Sequence, residues 1–519
     1  MSDTSAYGDD IRDDDTLVDD DNSSVRSFGS VSTVVWKGPN PSLPDRLRSY
    51  WQDHTPLPPL DDIKISSDIP DRVDVVIIGS GMTGVGVALS FLQLMASKGR
   101  FPVVLVIEAG EICSGMTALS SGYIKFLPHV NTHAEQWLPI KVLDLQVKNA
   151  HALKELASRY PHAHAREFET EELHFDPEEF EERKAVVTDP NGFMGLNEQY
   201  PQYKVTILEG DEVPNYGHLP AYGALSYKAA SIQPYHLVTS IWGDLCRQYA
   251  NLRISTNNSV KKIELTTDSS HPYRVTCSRG TLQARHVVHA TGSWATRLLP
   301  ALEISLAPGL VHVLLQRPGA SFPQREGKHS WTLNPGNLPF TVIRLPDGND
   351  EIGELLIERE WMTSGEMDDG EMQNTWKYLH RHMRDVFGRE WLDEAIRGTL
   401  WPRTVGMTGD YLPLVGRIPR EYANREVLHS DQAAVEAAVP EHGGLATPGE
   451  WISAGYSGRE TAFALLSGHA VGIQIAGMEN EELEMVPGRP GGRLNDWFPK
   501  EELSLDGDRM MRANLGPLN

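Results

Sequence analysis

Cysteine is nearly absent from this chain: Cys113, Cys246 and Cys277 are the only three in 519 residues. With no CxxC pair and no even framework, structural disulfides, a cysteine zinc site and a dithiol redox pair are excluded, and a reducing compartment is expected. Basic charge is also short. Against 71 acidic residues stand 47 lysines and arginines, a formal charge of −24. No basic stripe interrupts that balance, so neither nucleic acid nor an anionic membrane is an expected partner. The longest apolar stretch is too short to span a bilayer. The chain opens Met-Ser-Asp, without the basic and apolar regions of a secretory signal, and closes Gly-Pro-Leu-Asn, unlike a peroxisomal ending. A cytoplasmic location is the expectation that remains. The length suits two intimately built domains with extensions.

What is present begins with Val73-Asp74-Val75-Val76-Ile77-Ile78-Gly79-Ser80-Gly81-Met82-Thr83-Gly84. Its apolar, mostly β-branched start runs without alternation, as a parallel strand buried on both faces does. Gly79 then permits a tight turn, Gly81 lets the backbone approach a pyrophosphate, and Gly84 lets the next helix pack closely. A helix is expected over 85–97, stopped by Lys98-Gly99. A second buried strand, 103–107, closes on Glu108, placed where such a unit holds an adenosine ribose by a carboxylate. Strand, turn, helix, strand and acid in this order predict dinucleotide binding, and the ribose carboxylate disfavours a 2′-phosphate.

Along the rest of the chain, nine aspartates in the first 21 positions and a serine-rich run at 23–32 mark residues 1–45 as a disordered acidic extension. Segment 31–36 is apolar enough to dock, as a latch or as a partner motif. The proline-rich arm that follows carries Tyr50-Trp51. After Glu108, the small-residue loop 109–123 is suited to close over a ligand. Helical patterns follow at 135–160, 236–250, 369–387 and 460–476, and strands at 252–264, 273–277 and 284–290. Three runs between 309 and 361, separated by turns such as Pro346-Asp347-Gly348, predict an antiparallel sheet with one face toward a substrate. His286 and His289 lack a third partner and are read as core or surface histidines. The glycine turn at 455–459 opens a helix whose N-terminus can face an anionic group.

Four segments together, the fingerprint with Glu108, Ala290-Thr291-Gly292-Ser293-Trp294, Thr408-Gly409-Asp410-Tyr411-Leu412-Pro413 with Gly416, and Ala454-Gly455-Tyr456-Ser457-Gly458, make the chain resemble the D-amino-acid-oxidase-type FAD-dependent oxidoreductases. It looks most like fungal members with a proline-rich arm. The resemblance implies an α/β protein with an α+β second domain, in which a Rossmann-like FAD-binding domain is interleaved with an antiparallel-sheet substrate domain. The arm then covers 46–72, FAD-binding segments 73–135, 231–308 and 401–480, substrate segments 136–230 and 309–400, and a C-terminal tail 481–519.

It further implies FAD contacts at Gly79, Ser80, Gly81, Met82, Thr83, Gly84, Glu108, Ala109, Ser114 and Thr117. Others fall at Ser121, Gly122, Val260, Thr291, Gly292, Trp294, Asp410, Gly455, Tyr456, Ser457, Gly458 and Arg459. Two departures stand out. The family's Gly-Arg-Asn-Gly-Gly-His loop is replaced by Thr117-Ala118-Leu119-Ser120-Ser121-Gly122-Tyr123, and no cysteine follows Cys277, so the flavin linkage expected is non-covalent. The implied activity is oxidation of a C–N bond in a small amine or amino-acid substrate, by hydride transfer to flavin N5 with dioxygen as acceptor. Arg344 and Arg459 are candidates to pair with a substrate carboxylate, and Lys328 resembles the lysine placed over the flavin in sarcosine oxidases. A dehydrogenase or monooxygenase, and a non-catalytic flavin protein with a partner-recruiting tail, are the alternatives.

Deleting residues 1–40 is expected to leave folding and flavin content intact, because so acidic a segment cannot join a core. A large fall in melting temperature would place 31–36 in the packed structure.

Overall fold

The structure, a computed structural model, describes residues 51, 69–126, 139–190, 198–201, 204–319, 322–323, 329–335, 339–345, 354–359, 369–392, 398–425 and 444–516. The acidic extension, Tyr50, Lys328 and the Pro346-Asp347-Gly348 turn lie outside the described residues, as does most of the excursion at 421–447.

The chain enters with β1 (Arg72–Ile78), α1 (Met82–Ser97) and β2 (Val104–Ile107). It then leaves for β3 (Tyr123–Lys125), α2 (Ile140–Ala157), β4 (Arg166–His174), α3 (Pro177–Thr188), β5 (Thr206–Glu209) and β6 (Gly223–Ser231). It returns through α4 (Pro234–Gln248), β7 (Leu252–Ser255), β8 (Val260–Leu265), β9 (Tyr273–Cys277) and β10 (Gly280–His289). A second departure gives β11 (Ala307–Gln316), β12 (His329–Asn334), β13 (Phe340–Arg344), β14 (Leu355–Arg359), α5 (Asp369–Phe387) and β15 (Thr399–Met407). The last return is β16 (Leu414–Arg417), β17 (Gly449–Ala454) and α6 (Glu460–Ile475).

Two sheets result. The first has the order β16-β17-β10-β1-β2-β7, with β9 added to β10 and β8 to β9. Its centre, β17-β10-β1-β2-β7, is parallel, which is why β1, β2 and β10 carry apolar residues on both faces. The second has the order β15-β11-β14-β13-β12-β4-β6-β3, with β5 on β6. The main apolar core draws side chains from both sheets, including Val75, Val106, Ile343, Leu356 and Trp401. Helices α1 and α6 cross closely because a Cβ on Gly472 would lie 2.6 Å from the Val87 carbonyl oxygen, so only glycine fits there.

Several expectations need correction. The second sheet is not purely antiparallel, since β12 lies parallel to β4. The strand expected over 252–264 is two strands, interrupted where Asn257 takes φ 48°. α1 begins at Met82, so Gly84 lies inside its first turn. The boundary expected at 400 falls within β15, which pairs with β11 in the second sheet, and β3, from the first nucleotide-binding stretch, pairs with β6 there. By contrast, His286 and His289 need no correction as core or surface histidines, since both are fully buried in the core. His286 accepts from Trp451 Nε1 at 3.3 Å, and His289 Nε2 lies 2.8 Å from Glu450. Residues 481–516 are no loose tail: Leu494, Trp497, Phe498 and Leu503 enter the main core.

Trp497→Ala is therefore expected to cost about 3–5 kcal/mol of unfolding free energy, read from chemical denaturation. A loss under about 1 kcal/mol would make the C-terminal segment peripheral.

Candidate active site

The ligand cradle is built where β1 ends. Gly79 has φ 108° and donates its N–H to the Ile107 carbonyl at 2.9 Å, while Ala290 N–H reaches back to Ile78. A Cβ on Gly79 would lie 2.4 Å from the Ala290 carbonyl, one on Gly84 2.2 Å from the Gly79 carbonyl, and one on Gly81 2.8 Å from Thr117 Oγ1. Backbone contacts thus require glycine at Gly79 and Gly84, while at Gly81 a Cβ would have to displace the Thr117 hydroxyl. Thr117 Oγ1 accepts from the Met82 N–H at 3.0 Å and holds the loop against the start of α1.

Glu108 is fixed at the turn. One carboxylate oxygen accepts from Ser80 N–H (3.0 Å) and Ser80 Oγ (2.7 Å), the other from Gly110 N–H (3.0 Å). A carboxylate offers about four lone-pair sites, so three donors leave one for a hydroxyl such as a ribose's. Ser80 Oγ accepts in turn from Cys113 N–H, and Trp242 Nε1 on α4 donates to the Ser80 carbonyl. Burial, together with the nearby Glu108 carboxylate, pushes the Cys113 thiol well up. Asn257 and Asn258 donate backbone N–H groups to the Gly110 and Glu108 carbonyls, which places the approach to Val260, at the start of β8, beside this loop. Ala109 is exposed and Ser114 half-buried, both on the rim.

Around the turn after β10, Gly292 has φ 56° with open space where a Cβ would be. Thr291 Oγ1 and Ser293 Oγ are shielded from solvent without a hydrogen-bond partner, as groups that await a ligand are. Trp294 beside them is half-buried, with the Arg297 guanidinium 4.5 Å from its ring centre. In the turn before α6, Gly455 and Gly458 have φ 78° and 80°. Tyr456, Ser457 and Thr83 are better described as fasteners. Tyr456 OH joins Thr83 Oγ1 (2.8 Å) to Ser453 Oγ (2.6 Å), and Ser457 N–H donates to the Gly406 carbonyl at 2.7 Å. Asp410 has its own cation: the fully buried Arg509 lies 2.9 Å away and also donates to the Leu412 carbonyl. That pairing shows how the C-terminal segment clamps the 408–413 loop.

The second sheet divides the remaining candidates by face. Cross-strand partners share a face, and the row Trp401, Val313, Glu358, Thr341, Thr332 defines the one that faces the nucleotide-binding side. Trp401 Nε1 donates to the Leu119 carbonyl in the loop beyond Glu108. Arg403 donates through Nε to Glu358 (2.8 Å), through Nη1 to Glu460 (3.0 Å) and through Nη2 to the Gly458 carbonyl (3.3 Å). Burial would lower the pKa of this guanidinium, but Glu358 and Glu460 outweigh it and raise it. Arg344 is the correction here. It pairs with Leu355 on the opposite face, with Phe340 and Val342 against α5, and its Nη1 donates to the Pro323 carbonyl at 3.5 Å. Arg459 lies over the Tyr411 ring at 5.8 Å.

The loop that departs from the family pattern is anchored by the arm. Trp51, 2% exposed, donates Nε1 to the Ser120 carbonyl at 2.8 Å, and its own carbonyl meets His236 Nε2 at 3.0 Å. Ser121 is buried beside it, and a Cβ on Gly122, at φ 73°, would lie 2.0 Å from the Ile232 carbonyl. Sequence reasoning missed Trp242, Trp401 and the Arg403 cluster. A charge recurring inside apolar strand runs, as in Leu355-Leu356-Ile357-Glu358 and Trp401-Pro402-Arg403, was the available signal.

A parallel dinucleotide sheet, a glycine cradle with a held carboxylate, and a second sheet laid against it define a flavin-type oxidoreductase fold. The chain belongs to the FAD dependent oxidoreductase (DAO) family, whose model matches residues 74–472. FAD is its cofactor, and the cradle with its unpartnered hydroxyls fits that group. Among solved structures, glycine oxidase from Geobacillus kaustophilus is similar at 19% identity and TM-score 0.56, covering 81% of this chain and 98% of that one. L-proline dehydrogenase from P. horikoshii matches at 16%, 0.54, 79% and 94%. L-amino acid deaminase from Proteus vulgaris, lacking its specific insertion sequence, matches at 16%, 0.53, 82% and 95%. No curated protein matches the sequence. No helix among the described residues is long and apolar enough to cross a membrane.

Glu108→Ala is expected to lose most of its FAD on gel filtration, while Glu111→Ala, in the loop just beyond, keeps it. Since the change also strands the Ser80 and Gly110 N–H groups at about 1–3 kcal/mol each, the melting temperature of the flavin-free protein should be recorded alongside. Equal FAD loss in both variants would remove Glu108 from the ribose.

Proposed function

We propose that the protein oxidises a C–N bond of a small amine or amino-acid derivative, with dioxygen as the electron acceptor and FAD held non-covalently. FAD, which the Gly79–Gly84 turn and Glu108 would hold, would supply a two-electron acceptor for the hydride of the substrate α-carbon, so that the nitrogen lone pair could close a C=N bond and water could hydrolyse the imine. The chain's task is then to orient the substrate and exclude water, so no acid–base pair is demanded of it.

The observation that carries this reading is the inner face of the second sheet, bound through Arg403 to Gly458 and Glu460 in the turn that opens α6. That link sets a wall containing Thr332, Thr341 and Glu358 against the FAD-binding sheet, all of them buried. A small polar substrate enclosed there would be desolvated and aligned. Glycine oxidase and L-amino acid deaminase, both similar in fold, are by name enzymes of amino acids. Arg344 has no part in this reading, because it lies on the other face. Arg459 and Lys328 remain the candidate substrate- and oxygen-side groups, the latter on resemblance alone.

A second reading keeps the C–N chemistry and replaces dioxygen with another acceptor. The altered Thr117–Tyr123 loop and the likeness to a dehydrogenase favour it.

Anaerobic bleaching of the visible flavin absorption band across a panel of amines and amino acids is the test. Reduction by at least one member is expected, followed by one hydrogen peroxide per turnover when air is admitted. Lys328→Met should then slow reoxidation by orders of magnitude and leave anaerobic reduction little changed. A flavin that no amine or amino acid reduces would sink the proposal, and reduction without peroxide would move the assignment to the second reading.

A further inference from the structure

We infer that the Glu358–Arg403–Glu460 cluster selects a cationic amine that carries no carboxylate beside the reacting carbon. The inference rests on the amine-or-amino-acid reading above and narrows it.

An arginine on the inner face is the natural anchor for a substrate carboxylate, since its planar fork matches one bidentately. Arg403 holds that position, 3% exposed, yet its fork is spent. Nε and Nη2 both meet Glu358, Nη1 meets Glu460, and Nη2 also meets the Gly458 carbonyl. A substrate carboxylate would have to displace one of those glutamates and leave a buried charge unpaired, a large penalty. Two carboxylates against one guanidinium also give the cluster a net negative charge. In a desolvated site that charge attracts a cation and repels an anion.

Of the other described arginines near the site, Arg344 and Arg183 do not restore a carboxylate anchor, and Arg459 is a rival, which the propionate arm of the test decides. Arg344 is on the α5 face, Arg183 is tied to Glu172, and Arg459 lies over Tyr411. Arg166, at the start of β4, donates Nη2 to the Arg344 carbonyl at 2.6 Å. It is five strands from Arg403 in the sheet order, about 24 Å at the usual strand spacing. A second observation points to a ligand on this wall. Thr332 Oγ1 is shielded from solvent with no hydrogen-bond partner, and Thr332 pairs with Thr341, which pairs with Glu358. An ammonium, with donors only, complements a hydroxyl oxygen and glutamate oxygens, and if it is the reacting nitrogen it passes its proton to a glutamate oxygen or to water before the lone pair closes the C=N bond.

The test uses the FAD-loaded protein and two probes of similar size and opposite charge, propylamine and propionate, followed by their perturbation of the flavin absorption spectrum at neutral pH. Propylamine is expected to bind at least about 10-fold more tightly than propionate, and Glu460→Gln to shrink that preference by about 10-fold or more. Glu358→Gln, more deeply buried, should act the same way. If it does not fold, Glu460→Gln decides alone. Tighter binding of propionate, or a preference untouched by Glu460→Gln, would overturn the inference, as would propionate binding that is abolished by Arg166→Gln. Turnover separates the two levels. Flavin reduced by an α-amino acid but not by its decarboxylated amine defeats this inference and keeps the C–N reading, whereas flavin reduced by neither class defeats the C–N reading.

Discussion

The contact on which the rest of this structure depends is the one between two backbones at Gly79. There the end of β1 approaches the turn after β10 so closely that a single methyl group would meet the Ala290 carbonyl at 2.4 Å. The closeness follows from parallel pairing: Gly79 is bonded to Ile107 on one side, and Ile78 to Ala290 on the other. Two glycine-bearing turns therefore open at the same end of the sheet, where ligands of open parallel sheets bind. α1 must start at once, and its first turn is crowded by the turn it has just left. Bulk at Gly79 or Gly84 would push apart strands whose apolar side chains fill both faces of the sheet.

Segments that meet at this point are far apart in the chain, and the excursions between them build the second sheet. No clean seam separates the two. The main core contains β1 and β2 residues together with Ile343, Leu356 and Trp401, so an interface of the loose kind usual between domains is not what joins them. β15 illustrates the intimacy. It is a strand of the second sheet, while Gly406 and Thr408 near its end are bonded to Ser457 in the turn of the first. Displacing one sheet from the other would break those bonds and expose apolar area from both.

How much of this was legible depended on whether the signal was local. The glycine spacing, the acid after β2 and the helix at 369–387 are each written in one contiguous stretch, and each was read with sound limits or nearly so. Sites assembled across the chain were not. Asp410 reads as a ligand contact until Arg509 arrives from the C-terminus, and Trp51 reads as part of a surface arm until it reaches Ser120. Arg344 failed for a different reason. Phe340-Thr341-Val342-Ile343-Arg344 is buried on both faces, so polarity does not alternate and the face of the arginine cannot be read from period two. β12, His329-Ser330-Trp331-Thr332-Leu333-Asn334, lies outside the three runs expected between 309 and 361 although its polarity alternates, with Trp331 and Leu333 in one apolar cluster.

The Arg403 cluster bears on why such a costly arrangement exists. Desolvating two glutamates and an arginine is expensive, and well-packed apolar replacements of buried ion pairs are frequently as stable or more so. Stability alone therefore gives weak reason for three charges where β14, β15 and α6 converge. Chain geometry is only part of the reason: Arg403 ties β15 to the turn before α6, but Ser457 already fastens that turn to β15 and Tyr456 fastens it to β17. What apolar residues cannot reproduce is the field. Two glutamates set against one arginine leave an excess of negative charge at this point of the inner face. The result is a fixed, slightly anionic wall against the FAD-binding turns, pre-oriented before any substrate arrives. A wall of that kind needs no motion to act on a charged substrate, and its sign is set by one glutamate more than the arginine can neutralise.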